Sequence, residues 1–224
     1  MRSQGRLTRR ACSTRRLLCQ LGRKELARIF KRLHGQRWPF QGFADHGVSE
    51  ALYLADAEGN GVELYADRPR DQWPRKDGEL QMVTLALDLE SLLAELPEAD
   101  DPWTGIHPQT EIGHIHLQVS DLRKGERFYR ELLGFDVTQR SFRGTLFVSA
   151  GGHHHHAGLN VWDSLDGTAS PADAVGLAKF SITVPDEHER LAVHERLRDA
   201  GTRLEESEGG VVARDYDGIG IEIT

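Results

Sequence analysis

Six histidines in two short runs carry the clearest chemical potential in this chain. His114 and His116 stand two apart in Ile112-Gly113-His114-Ile115-His116-Leu117-Gln118-Val119. His153-His154-His155-His156 runs straight into Ala157-Gly158-Leu159-Asn160-Val161-Trp162. Neutral imidazole is the commonest metal ligand among side chains, so two such runs make a plausible half of a metal site. Taken singly, each of these histidines reads equally well as a surface group. Two glutamates recur in a shared setting. Asp56-Ala57-Glu58-Gly59-Asn60-Gly61-Val62-Glu63-Leu64 matches Asp215-Tyr216-Asp217-Gly218-Ile219-Gly220-Ile221-Glu222-Ile223, with Glu63 and Glu222 at the same place after a glycine turn. Glu222 could close a site with His114 and a histidine of the 153–156 run.

The elements that must position these groups follow from hydrophobic periodicity. The run 112–119 alternates and predicts a strand, which puts His114 and His116 on one face. The same reading of 153–162 puts His153 and His155 on one face and His154 and His156 on the other. Leu26, Ile29, Phe30 and Leu33 predict an amphipathic helix that stops at Gly35. Strands are expected over Val48–Leu54 and Val62–Tyr65. A helix over Arg123–Leu133 is followed by strands at Phe135–Thr138 and Thr145–Ser149. A second pass runs from a strand over Ala178–Val184 through a helix over Glu187–Arg198 to strands near Leu204, Val211 and Ile219–Ile223. In that pass Lys179 reads as a solvated strand residue. The whole is α+β, built of repeated βαβββ units, about two and a half of them. Residues 23–66 form a partial unit lacking its first strand, 67–110 a linker, and 111–224 a complete domain of two units.

Composition narrows the function class. Eight of the 28 basic residues, and none of the 35 acidic ones, lie in residues 1–24, so the net charge of −7 conceals a more acidic body. Such a body repels nucleic acid. No run approaches the ~20 apolar residues of a membrane span. The two cysteines, Cys12 and Cys19, fall in the first twenty residues, which suits a cytoplasmic compartment. Residues 1–22 stand apart as an atypical basic segment, to be read as disordered, as a targeting or nucleic-acid arm, or as frameshifted.

Repeated βαβββ units with histidine early and glutamate late resemble the vicinal oxygen chelate superfamily. Within it the chain is similar to bacterial catechol 2,3-dioxygenases over roughly 23–224. The most specific stretch is Asp45-His46-Gly47-Val48-Ser49-Glu50-Ala51-Leu52-Tyr53, continuing to Asp56, Gly59 and Glu63. Extradiol ring-cleaving enzymes carry His, Leu-Tyr, Asp-Pro, Gly and a ligand Glu at this spacing. Ala57 stands where the pattern has Pro. The resemblance implies metal ligands at His114 and Glu63, with Glu222 and His154 as alternatives. It implies His46 and Tyr53 as groups that position substrate, and His155 as the acid–base. It also implies Fe(II), with Mn, Zn or Ni as alternatives, a small aromatic diol and O₂ as substrates, and a possible homo-oligomer. Two histidines and one carboxylate leave open positions on a metal, the arrangement of non-haem Fe(II) oxygenases.

One ligand is missing from that set. In the family a second histidine comes from the first strand of the unit holding Glu63, yet no histidine precedes His34. The chain resembles the last two and a half units of a longer enzyme. Residues 1–21 are expected to be read in a shifted frame, with the absent histidine encoded across Ser13 and Thr14. Two other readings remain at this point: a glyoxalase-like isomerase using Zn or Ni, and a metal-free, non-catalytic binding remnant.

Overall fold

In a computed structural model, residues 10–11, 14–97, 103–169 and 176–224 are described. They divide into two compact units, one over 15–115 and the other chiefly over 116–224. The expectations for residues 1–9 and 12–13, including the codons of Ser13, lie outside the described residues.

The first unit is a full βαβββ turn: β1 (Thr14–Leu21), α1 (Arg23–Gly35), β2 (Phe40–Asp45), β3 (Ser49–Ala55) and β4 (Gly61–Asp67). The strand that the sequence reading left out is therefore present as β1, parallel to β4, with Leu18 opposite Glu63. Strand β2 was also not anticipated, because Phe40-Gln41-Gly42-Phe43-Ala44-Asp45 alternates too weakly to stand out. The sheet order is β2-β3-β4-β1. Helix α1 lays Leu26, Ala27, Ile29 and Phe30 against Leu52 and Leu54 of β3 and Leu64 and Ala66 of β4. Strand alternation then sends Glu63 and Tyr65 to the opposite face of β4.

Residues 67–110, expected as a linker, are part of this unit's core. Leu87 and Leu92 are buried in the α1 cluster, and Leu89, Leu96 and Trp103 pack on it. The short helix α2 (Leu89–Leu93) is capped by the Asp88 side chain, which accepts from the Ser91 N–H. Proline-rich composition hid this segment, since scattered apolar residues bury without showing a period.

The second unit holds two βαβββ turns. The first comprises β5 (Glu111–Gln118, whose end enters this unit), α3 (Leu122–Glu126), β6 (Asp136–Gln139), β7 (Thr145–Ser149) and β8 (Ala157–Asn160). Helix α3 continues through Arg127–Leu132 with the wider π spacing. The second turn comprises β9 (Lys179–Ile182), α4 (Glu187–Asp199), β10 (Leu204–Ser207), β11 (Gly210–Arg214) and β12 (Gly220–Ile223), in sheet order β9-β12-β11-β10.

The internal repeat extends to individual hydrogen bonds. Asp56 Oδ1 accepts from the N–H groups of Glu58 and Asn60 at 2.9 and 2.8 Å. Asp215 Oδ1 accepts from those of Asp217 and Ile219, both at 2.9 Å. Each loop turns on a glycine in the left-handed region, Gly59 at φ 85° and Gly218 at φ 86°, where a Cβ would be strained. The two loops differ in burial. Asp56 is exposed, whereas Asp215 is buried and also accepts from the Tyr129 hydroxyl at 3.1 Å.

Burial pushes the Asp215 carboxyl up to about 6, against the opposing pull of its N–H and Tyr129 donors. The folded chain thus holds a proton that the unfolded chain has already released. Stability falls as pH rises from the unfolded value near 3.8 through 6, by an amount of order 3 kcal/mol. Asp215→Asn is expected to flatten this dependence and to gain on the parent chain at pH 7, read as urea midpoints at pH 4.5 and 7. An equal change at both pH values would show that Asp215 does not titrate in this window.

Candidate metal centre

The face of the first sheet turned away from α1 gathers the site. Tyr53 on β3 stands directly opposite Glu63 on β4 in the antiparallel ladder, so both side chains leave on one side. Glu63 is 3% exposed and His114 is also 3% exposed. His114 Nε2 lies 3.9 Å from Glu63 Oε2, and the Tyr65 ring packs on the His114 imidazole with centroids 4.7 Å apart. That nitrogen–oxygen separation is too long for a hydrogen bond. It is within the reach of two ligands that each bind one cation at ~2 Å. A carboxylate that stays charged at this depth is stabilised by a positive partner, and a metal ion between these two groups would serve as one.

Beside this pair is a hydrogen-bonded dyad. His46 Nδ1 is 2.8 Å from the Val83 carbonyl, and His46 Nε2 is 2.6 Å from the Tyr53 hydroxyl. A carbonyl oxygen only accepts, so Nδ1 carries the proton and the bare Nε2 accepts from Tyr53. The tautomer follows from this network. The loop bearing His46 is held by charge. Asp45 accepts from the Gly47 N–H at 2.8 Å and from Arg68 Nη2 at 2.9 Å. Arg68 also donates to the buried Glu50, which accepts in addition from Arg23.

The histidine run does not form the alternating strand that its sequence suggests. Gly151 and Gly152, at φ 60° and 69°, turn the chain there, and β8 begins only at Ala157. His154 and His155 are consequently both buried, with their Nδ1 atoms 2.7 Å apart, one donating and the other accepting. His155 also packs across the Phe147 ring and edge-on to His116, at centroid separations of 4.7 and 5.6 Å. His116 and His155 offer ring nitrogens within 4.8 Å of each other, an arrangement able to hold a metal. His116 follows His114 on the same face of β5 and is only partly buried.

Glu222 has different neighbours from Glu63. It accepts from Lys179 Nζ at 2.6 Å, Ser207 Oγ at 2.7 Å and Ser181 Oγ at 2.8 Å. Hydrogen bonding to Lys179, then to the two serines, holds its carboxyl down at about 2. Lys179, expected to be solvated, is engaged in an ion pair. Sequence reasoning missed Tyr65, although its place two residues after Glu63 on one strand was a usable signal. It also missed Val83, Arg68 and Ser207, whose roles have no local signature.

Comparison with known proteins agrees with this architecture. The sequence pattern of the Glyoxalase/Bleomycin resistance protein/Dioxygenase superfamily matches residues 111–223. A Bacillus subtilis (strain 168) protein named catechol-2,3-dioxygenase is 44% identical over 197 residues, covering 86% of this chain and 67% of that protein. A solved structure from Bacillus subtilis subsp. subtilis strain 168 matches with a TM-score of 0.58 at 11% identity, a likeness of fold. It covers 97% of this chain, which spans only 64% of that one. No helix among the described residues is long and apolar enough to cross a membrane. With its βαβββ turns, its bond-for-bond repeated loops and this relative, the chain belongs to the glyoxalase, bleomycin resistance and dioxygenase superfamily, also called the vicinal oxygen chelate superfamily.

Proposed function

We propose that the chain is an oxygenase-type enzyme that opens the ring of a catechol beside its two hydroxyls, using O₂ and Fe(II). The observation that carries this reading is the buried Glu63–His114 pair next to the His46–Tyr53 dyad. The name of the 44% identical Bacillus subtilis relative supports it. The donors fit a divalent metal in two places, Glu63 and His114. The sequence of β1 contains no histidine.

Fe(II), held by Glu63 and His114, would supply the Lewis acidity and the redox chemistry with O₂ that ring opening needs. The residues around it manage protons. Tyr53 can accept a phenolic proton while passing its own to His46 Nε2. The resulting imidazolium keeps its Nδ1–H on the Val83 carbonyl, so the transfer needs no rearrangement of the ring. His155 is the acid–base of the same reading, and it comes from the resemblance.

The test is anaerobic Fe(II) loading followed by catechol and O₂, with the yellow ring-fission product as the signal. Iron-loaded chain that consumes neither catechol nor O₂ would sink the reading. Uptake of Zn(II) or Ni(II) in preference to Fe(II) would favour a glyoxalase-like isomerase instead. Within this reading, His155→Phe is expected to lower turnover by ~10²–10⁴-fold at nearly constant iron content. Iron lost in step with activity would make His155 a ligand.

A further inference from the structure

We infer that Lys179 is the built-in cation of a second carboxylate site, the repeat-related counterpart of Glu63, and that its ammonium keeps divalent metal away from Glu222. The two carboxylates are equivalent by position, since each follows a loop with the same hydrogen bonds and the same left-handed glycine. The neighbouring strands are equivalent too. Lys179 pairs with Gly220 and Ser181 with Glu222, as Arg16 pairs with Gly61 and Leu18 with Glu63. In sequence, Lys179 stands as far before the helix-capping Asp186 as His114 does before the helix-capping Asp121. One turn therefore has an imidazole at a position where another has an ammonium.

The surroundings of Glu222 form a built site. Oε1 accepts from Lys179 and Ser207, and Oε2 accepts from Ser181. Gly209 leaves room for the carboxylate, because a Cβ there would sit 3.2 Å from Glu222 Cδ. The Glu222 side chain is 10% exposed and that of Lys179 46%, so a largely buried carboxylate is paired with a lysine that reaches solvent. A protonated lysine has three donors and no lone pair, so it cannot act as a ligand. Its charge also repels an entering metal ion. A histidine at the same place would present a neutral lone pair beside the carboxylate and the two serine hydroxyls.

The experiment uses the full chain and Co(II), with uptake measured by equilibrium dialysis and by visible absorption. Lys179→His is expected to take up one equivalent more than the parent chain, and Lys179→His combined with Glu222→Gln to lose that extra equivalent. Glu222→Gln alone should leave parent uptake unchanged. A second measurement covers the case in which Lys179→His does not fold. Lys179→Ala should melt at a lower temperature than the parent and be raised by added Mn(II) by more than the parent is. The inference is overturned if Glu222→Gln alone removes a Co(II) equivalent. It is also overturned if folded Lys179→His gains none, or if Mn(II) raises parent and Lys179→Ala alike.

Discussion

Replacing His114 by alanine is expected to abolish Fe(II) binding, with at least ~100-fold loss of affinity, whereas His116→Ala weakens it little. Both histidines leave β5 on the same face, so strand geometry does not separate them. Burial and neighbours do. His114 is nearly inaccessible, it lies 3.9 Å from Glu63 Oε2, and the Tyr65 ring packs on it. His116 is partly open and faces His155. Iron content after anaerobic dialysis, with circular dichroism to confirm folding, decides between them. Equal loss from both substitutions would show that the ligand choice is wrong. Glu63→Gln provides a second arm. It keeps the shape of the side chain while removing its charge, and it should cost as much iron as His114→Ala.

The next largest effect is expected at the dyad. Tyr53→Phe removes the only group of that side chain able to donate to His46 Nε2, and it leaves the ring packing between the strands. Turnover of catechol is expected to fall ~10²-fold or more with iron content unchanged. The pH–rate profile supplies a readout that a purely structural role would not move. With the tyrosine gone, His46 keeps the Val83 carbonyl but loses its hydroxyl donor, and the acidic limb should shift. A variant with lower iron and an unshifted profile would place Tyr53 in support of the sheet instead. His46→Gln should lower turnover similarly, since glutamine can still donate to the Val83 carbonyl but is too weak a base to take the proton.

The charge network below the dyad explains why this loop can hold so exact a pairing. Arg68 bridges Asp45 and Glu50, and Glu50 is tied to Arg23 at the start of α1. The ends of three elements are thereby joined by side chains lying far apart in sequence. Such a network is partly buried, and removing one member leaves another charge without its partner, which costs more than the pair contributes.

Much of the architecture was legible in the sequence because it rests on local periodicity and on short-range turn chemistry. Leu26, Ile29, Phe30 and Leu33 recur at helical spacing, and Gly59 and Gly218 mark where the two loops turn left-handed. The repeated Asp…Gly…Glu stretches revealed the repeat, and the types and spacing of His46, Tyr53, Glu63 and His114 marked them as candidates. The sequence could not determine partners brought together across the fold. Burial of Leu87 and Leu92, the Val83 carbonyl on His46, and the lysine on Glu222 depend on tertiary packing, which no period encodes. The histidine run shows the same limit from the other side. Alternation predicts opposite faces for His154 and His155, but two consecutive left-handed glycines turn the backbone before β8 begins, and both rings are buried against each other. What a residue is able to do follows from its type. Which atom it meets is decided by where the chain places residues distant in sequence, and only the tertiary structure settles that.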